Sequence, residues 1–199
     1  MSKLIAIEFL SVDGVMQGLG SPDEDRDGGF EHGGWGAPYA EAIHTTAAAG
    51  ALGNTTGYLF GRRTYEKMAA YWPTVSADNP MAAHLNATPK YVVSATLTDP
   101  GWAPTRVLTG DLSGNIAALK EAGIGDIVIL GSGMLVRRLL HDELIDGLRL
   151  FVHPLLLGSG KRLFGDLPAP RPLRLVGSDT TALGSLVLAY EFEPRSLTL

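Results

Sequence analysis

The sequence predicts an α/β protein with a mostly parallel central sheet and an antiparallel edge near its carboxyl end. Apolar strand-like segments alternate with helix-like segments as far as residue 144, which is typical of a parallel sheet covered on both faces. Three strand-like segments at 148–157, 173–179 and 185–192 then follow without helices between them, and the last two have the spacing of antiparallel partners. No linker or break in composition divides the chain, so we expect a single domain over residues 1–199.

Each earlier element is indicated by its apolar pattern and by the residues that end it. The predicted strands are residues 4–10, 56–60, 90–94, 106–108 and 126–130. The predicted helices are residues 38–49, 63–71, 81–85, 112–122 and 135–141. Pro38 suits a first helical turn because its missing N–H would have no partner there, and Gly123 suits a helix end. Residues 18–36 form a Gly-, Asp- and Glu-rich loop that is long enough to predict a mobile lid.

Composition excludes several classes of function. The balance of 16 Lys+Arg against 21 Asp+Glu offers no basic field for a nucleic-acid backbone. The chain has no cysteine, and His44, His84 and His141 lack the i, i+4 partner of helical zinc sites, so no metal is expected. The amino terminus lacks the apolar core of a signal peptide, and no run approaches the ~18 apolar residues of a membrane span. We therefore expect a cytoplasmic protein without nucleic-acid or membrane partners.

Two predicted strands run into helices through glycine. The first such junction is Gly131-Ser132-Gly133, after the strand at 126–130. Glycines remove the Cβ atoms that would keep a phosphate from the backbone, and the following helix offers unpaired N–H groups and its positive dipole end. Alone, this pattern is more often an ordinary turn.

The second junction is Gly61-Arg62-Arg63-Thr64, which opens a helix where Asp or Glu would suit the dipole better. Cations at this position attract an anion, because planar guanidinium groups bind phosphate and the threonine adds a hydroxyl donor. Two such junctions in one sheet predict a large diphosphate ligand.

These junctions belong to a series of motifs that resembles a known family. In chain order the motifs are Ser11-Val12-Asp13-Gly14, Gly61-Arg62-Arg63-Thr64, Tyr91-Val92-Val93-Ser94, Gly131-Ser132-Gly133 and HPLLLGSGKRLF at 153–164. The series resembles the dihydrofolate reductase fold, and most closely the reductase domain of the bifunctional riboflavin-biosynthesis deaminase-reductase and its stand-alone relatives. The resemblance covers nearly the whole chain. It implies a dihydrofolate reductase-like three-layer sandwich over residues 1–199.

The same resemblance implies NADPH as the cofactor, lying across the carboxyl ends of the central strands. It places Gly61, Arg62, Arg63 and Thr64 at the 2′-phosphate and pyrophosphate, and Ser94 near the adenosine. The residues on the pyrophosphate and nicotinamide side would be Gly131, Ser132, Gly133, Met134 and Leu135. Paired arginines favour NADPH over NADH, because a guanidinium group binds the additional phosphate well.

Other nucleotide folds and the companion activity fit poorly. A Rossmann fold requires G-x-G-x-x-G after its first strand, where this chain has Ser11-Val12-Asp13-Gly14. The segment 158–162 contains a lysine but lacks the spacing and the helix of a P-loop. A zinc deaminase requires cysteines, which the chain does not have.

The substrate side leaves alternatives open. Dihydrofolate reductases carry an acid in a W-x-x-P-x-D pattern, whereas here the acid, Glu41, comes one residue later and is turned by ~100° on a helix. Glu41 is thus either a proton donor or a solvated first-turn carboxylate. Residues 86–90 contain no arginine for a folate tail, and Lys90 is either its substitute or a surface lysine. His153, within an apolar strand, is expected to be structural.

Five further residues are candidates for the site, and four of them also have a structural interpretation. Asp13 either contacts the substrate and transfers a proton or forms a turn before glycine. Glu31 in the long loop is a candidate proton donor, and Trp35 is either a substrate contact or a subunit contact. Lys161 and Arg162 either bind a substrate phosphate or are surface charges.

These observations predict an NADPH-dependent reductase that transfers a hydride to a small heterocyclic substrate, ribosylaminopyrimidine-like or pterin-like. The alternatives are a dihydrofolate reductase and a non-catalytic NADPH-binding or interaction protein. Because relatives of the family are often dimers, a homodimer is also considered.

Overall fold

The computed structural model describes residues 1–40 and 53–193. They form an eight-stranded sheet in the order β4-β3-β2-β5-β1-β6-β8-β7. The strands are β1 (Leu4–Ser11), β2 (Thr55–Gly61), β3 (Lys90–Val93), β4 (Thr105–Leu108), β5 (Asp126–Leu130), β6 (Gly147–His153), β7 (Leu173–Thr180) and β8 (Leu186–Phe192). The described α-helices are α1 (Arg62–Tyr71), α2 (Pro80–Ala87), α3 (Leu112–Ala122) and α4 (Gly133–His141). Short 3-10 turns occupy Asp27–Gly29, Ala37–Tyr39 and Trp72–Thr74.

The sheet confirms the predicted fold class. From β4 to β6 every neighbouring pair is parallel, and β8 then pairs antiparallel with both β6 and β7. The central strands β1 and β5 are almost wholly buried, as expected where helices cover both faces of a parallel sheet. All eight residues of the edge strand β7 are exposed.

Two apolar cores flank the sheet and define three layers. One core contains side chains of α3 and α4, such as Ile116 and Leu139, against alternate residues of β1. The other contains Tyr65 of α1 and Leu85 of α2 against Phe60 and the remaining side of the sheet. The alternation of strand side chains between two faces places one set in each core.

Several predicted boundaries shift by one or two residues, and the largest difference is at the end of β6. The strand predicted over 148–157 ends at His153, because Pro154 has no N–H for the sheet and the chain then turns. The helix predicted from residue 135 begins at Gly133, within the glycine junction itself. The predicted helix at 38–49 begins in the 3-10 turn Ala37–Tyr39, and the rest of it, including Glu41, lies outside the described residues.

Candidate functional site

A cavity of about 990 Å³ opens where β1, β2, β3 and β5 end, at the upper limit of the usual size of small-molecule sites. Its wall contains every residue predicted to bind the cofactor except Gly131. Those residues are Gly61, Arg62, Arg63, Thr64, Ser94, Ser132, Gly133, Met134 and Leu135. Residues 16–18, which lead into the long loop, and residues 24–27 within it form another part of the wall together with Glu8 and Lys161.

A hydrogen bond joins the two glycine junctions. The Gly61 N–H donates to Ser132 Oγ at 3.0 Å. Gly131 and Ser132 both have left-handed backbone, with φ of 68° and 66°, which is uncommon for serine and sets a sharp turn before α4. A Cβ on Gly133 would lie 1.9 Å from Met16 Sδ, so a larger residue there would require the Met16 side chain to move. The junction thus brings bare backbone to the cavity wall.

Both helices that start at this cavity leave their first N–H groups without side-chain acceptors. Gly61 caps α1 and Ser132 caps α4, and neither makes a side-chain cap hydrogen bond. No acidic residue lies in the first turn of either helix. Unpaired N–H groups and the positive dipole ends therefore favour an anionic ligand.

The two arginines of the second junction make exposed ion pairs that a ligand phosphate could replace. Arg62 contacts Glu66 at 3.3 Å and donates to Thr96 Oγ1 at 2.7 Å. Arg63, with a side chain that is 81% exposed, contacts Asp27 at 3.1 Å. Exposed pairs of this kind contribute little to stability, so exchanging them for a phosphate dianion is favourable.

The loop wall of the cavity is held by Gln17 and Lys161. Gln17 donates to the backbone oxygens of Asp25 and Asp27, and its own oxygen accepts from the Lys161 N–H at 2.9 Å. Lys161 Nζ lies 2.7 Å from a carboxylate oxygen of each of these aspartates. The hydrogen bond from Lys161 lowers the pKa of Asp27. The predicted phosphate-binding Lys161 is therefore already paired, and its main contact is with the loop.

Comparison with known proteins identifies the family. The model of the RibD C-terminal domain matches residues 2–187. The chain belongs to the RibD C-terminal domain family. Membership supports a reductase-type activity and a relation to riboflavin biosynthesis, as a stand-alone relative of the reductase domain.

Individual relatives of this RibD C-terminal domain are distant. YyaP of Bacillus subtilis (strain 168) is 25% identical over 137 residues, which cover 67% of this chain and 72% of that protein. A structure from Shewanella sp. PV-4, named for riboflavin biosynthesis, has a TM-score of 0.67 at 20% identity and covers 96% of this chain and 99% of its own. Dihydrofolate reductase from Enterococcus faecalis, in complex with NADP(H) and RAB-propyl, has a TM-score of 0.57 at 14% identity, covering 96% and 97%. These structures confirm the dihydrofolate reductase-like fold.

Asp13 of this RibD C-terminal domain lies in the turn after β1 with both carboxylate oxygens engaged. Ser11 Oγ donates to Oδ1 at 2.6 Å, and the N–H groups of Leu157 and Gly158 donate at 3.1 and 2.9 Å. The hydrogen bond from Ser11 is the largest cause that lowers the pKa of Asp13 to about 2. Arg162 contacts the same carboxylate at 3.3 Å. Arg162, the second cation predicted to bind a substrate phosphate, is therefore also paired within the protein. The geometry favours a turn-forming Asp13 over the predicted proton donor.

Two further predicted residues, Trp35 for the substrate and Glu31 for proton transfer, do not line the cavity. Trp35 is buried with Val15 and Phe30 and donates to the Gln17 backbone oxygen at 2.7 Å, so it anchors the loop. Glu31 is exposed and absent from the wall.

The described residues contain no group of three side chains placed to hold a metal ion, and none of their helices is long and apolar enough to cross a bilayer.

Two buried basic residues have structural environments. Lys90 is fully buried, and its ammonium donates to the carbonyls of Leu85, Asn86 and Thr88 at the end of α2. Both interpretations of Lys90, the folate-tail partner and the surface lysine, are therefore wrong, because this ammonium caps a helix from inside the fold. His153, expected to be structural, is fully buried and hydrogen-bonds Ser185 Oγ at 2.8 Å, and burial lowers its pKa to about 4.

The sequence-based interpretation missed Glu8. This residue of β1 lines the cavity and is only 3% exposed. Burial raises the pKa of Glu8 to about 8. The available signal was a single acid inside the apolar run 4–10, at a position whose strand neighbours are buried.

Proposed function

We propose that this RibD C-terminal domain is an NADPH-dependent reductase that transfers a hydride to a small heterocyclic substrate. The observation that carries the proposal is the pair of glycine junctions, joined by the Gly61–Ser132 hydrogen bond and opening into one cavity beside Arg62 and Arg63. NADPH, when bound, would supply the hydride. The bare backbone at Gly133 and the acid-free helix starts fit a diphosphate.

The proposed contacts divide the cavity into two parts. Arg62, Arg63 and Thr64 would bind the 2′-phosphate and part of the pyrophosphate, with Ser94 beside the adenosine. The pyrophosphate and the nicotinamide side would be held by the first glycine junction and the start of α4. The residues are Gly131, Ser132, Gly133, Met134 and Leu135. The loop wall at 24–27 would exclude water from this part of the cavity.

The source of the proton is proposed from the candidates that the sequence named, Asp13, Glu31 and Glu41, and from water. Asp13 is ionised and fully bonded, and Glu31 lies outside the wall. Glu41 or water is therefore the proposed donor. A group that transfers a proton must reach the reacting atom by a hydrogen bond or through one water molecule.

The substrate class is proposed from the buried lysine. Residues 86–90 offer no accessible cation to a folate tail, since Lys90 points its ammonium into the α2 carbonyls. This favours a ribosylaminopyrimidine-like compound, or a pterin without the glutamate tail, over dihydrofolate.

The test is a double substitution, Arg62→Ala with Arg63→Ala, in a fluorescence titration with NADPH and NADH. Loss of two charge-assisted contacts to the 2′-phosphate should weaken NADPH about 100-fold and NADH less than about threefold. Arg106→Ala, at an exposed residue outside the wall, is the matched control. An unchanged preference for NADPH in the double variant, or no binding of either nucleotide to the wild type, would disprove the proposal.

A homodimer is proposed from the edge of the sheet. Every residue of β7 is exposed, including the apolar Leu175 and Val176, and an edge strand has unpaired backbone groups. A second copy of the chain would cover this surface. Sedimentation should show a dimer that Leu175→Lys converts to a monomer, whereas Ile124→Lys, at a 98% exposed turn residue, leaves it intact. A wild-type chain that sediments as a monomer would exclude the dimer.

A further inference from the structure

Glu8 is placed in β1 where an apolar residue would be expected. Its row on the strand contains Leu4, Ala6 and Leu10, which all belong to the apolar core on that face of the sheet. Glu8 itself is 3% exposed and lines the cavity. A carboxyl group in such a position is costly to bury unless it has a partner.

Among the residues that the structure describes, no protein group supplies a partner for Glu8 Oε1, which is buried. The cations of the same wall contact groups other than Glu8. The contacts are Arg26 with Asp23, Arg62 with Glu66, Arg63 with Asp27, Lys161 with Asp25 and Asp27, and Lys67 with the backbone oxygen of Glu24. Burial keeps the pKa of Glu8 at about 8, so the group is a neutral carboxylic acid at pH 7.

The position of Glu8 separates it from the phosphate-binding cations. Ile7 is in register with Leu130, and its carbonyl accepts from the Gly131 N–H at 3.1 Å, which places Glu8 beside the glycine turn. Strand β1 lies two positions from β2 in the sheet, about 10 Å from the junction that carries Arg62. A ligand whose charged end is held at β2 would therefore bring an uncharged part to Glu8.

A neutral carboxylic acid offers one donor and one acceptor side by side. Its best complement is a primary carboxamide, which presents an N–H donor next to a carbonyl acceptor, so that two hydrogen bonds form without moving a charge. A phosphate carries acceptors and negative charge only, and would leave the Glu8 carbonyl oxygen without a donor.

We propose that Glu8 is a cofactor-binding residue whose carboxyl group pairs with the carboxamide of the nicotinamide ring. This inference rests on the proposed function. It assigns the unpartnered acid of the wall to the ring end of the dinucleotide, where it would fix the orientation of the ring about the glycosidic bond.

The experiment compares two ligands by isothermal titration calorimetry. NADPH carries the carboxamide, whereas 2′-phospho-ADP-ribose has the same phosphates and adenosine but no nicotinamide. Glu8→Leu should weaken NADPH about tenfold and change 2′-phospho-ADP-ribose less than about twofold. Glu8→Gln, which keeps a neutral donor and acceptor, should stay within about threefold of the wild type for both ligands.

The outcomes separate this inference from the proposed function. Equal effects of Glu8→Leu on the two ligands, or no effect on either, would overturn the role of Glu8 while leaving the cofactor site intact. Failure of the wild type to bind either ligand would overturn both. Should Glu8→Leu not fold, the wild type and Glu8→Gln are titrated with the reduced 3-acetylpyridine analogue, which lacks the amide donor. Both should bind it about fivefold more weakly than NADPH, and equal affinities would overturn the inference.

Discussion

Two acids at the end of β1 lie in opposite environments. Asp13, in the turn, accepts hydrogen bonds from Ser11 and from the backbone of Leu157 and Gly158, and its pKa falls to about 2. Glu8, inside the strand, has an oxygen without a partner in the described part of the chain, and burial raises its pKa to about 8. At pH 7 the first is an ion that is bonded to the fold and the second is a neutral acid.

This difference indicates where a ligand can act. A carboxylate surrounded by donors is already satisfied, so contact with a ligand would require those bonds to break. An unpartnered acid in a cavity wall gains from a ligand what the protein does not provide. The acid of β1 that is available to a ligand is therefore Glu8 in the cavity wall, five residues before Asp13.

The largest effect expected from this contrast is on the pH dependence of stability. The pKa of Glu8 is raised from 4.5 to about 8 in the folded state, because burial disfavours the charged carboxylate. The contribution of the protonated Glu8 to the free energy of unfolding is therefore fully present below pH 4.5 and is lost as the pH rises through 8. As the pH rises from 4.5 to 7, the wild type should lose about 3 kcal/mol of this contribution. Glu8→Gln should remove this pH-dependent contribution, because glutamine does not titrate. Urea unfolding at pH 5 and pH 8 should therefore show that the variant gains stability relative to the wild type as the pH rises.

The matched control for that measurement is Glu121→Gln, at an exposed residue of α3, which should leave the pH dependence as in the wild type. If Glu8→Gln and the wild type lose stability in parallel between pH 5 and 8, Glu8 is not a buried neutral acid and the contrast with Asp13 is lost.

A smaller effect is expected at the turn. Asp13→Ala would leave the N–H groups of Leu157 and Gly158 without an acceptor and should lower the free energy of unfolding by about 2 kcal/mol at pH 7. Asp13→Asn, which keeps one oxygen, should lose about half as much. NADPH affinity should change less than about threefold in both, since Asp13 is outside the cavity wall. A variant that keeps its stability but loses turnover would restore Asp13 as a proton donor.

The glycine-junction side of the cavity was predictable because its signals are local. Glycine next to a strand end and cations at a helix start can be recognised in a few consecutive residues, and Gly61, Arg62, Ser132 and Gly133 all lie in the cavity wall. The roles of the charged residues on the other side of the cavity could not be predicted, because the groups that pair with them come from distant segments of the chain. Asp13 is bonded to residues 157 and 158, and Lys161 to residues 25 and 27.

The sequence by itself determined the parallel sheet, the antiparallel edge and the two glycine junctions, since strand periodicity and turn residues act over short distances. Only the tertiary structure decided the protonation of Glu8 and Asp13 and the burial of Lys90. Those properties depend on how many donors, acceptors and water molecules surround a group, and the packing of segments far apart in the chain sets that number.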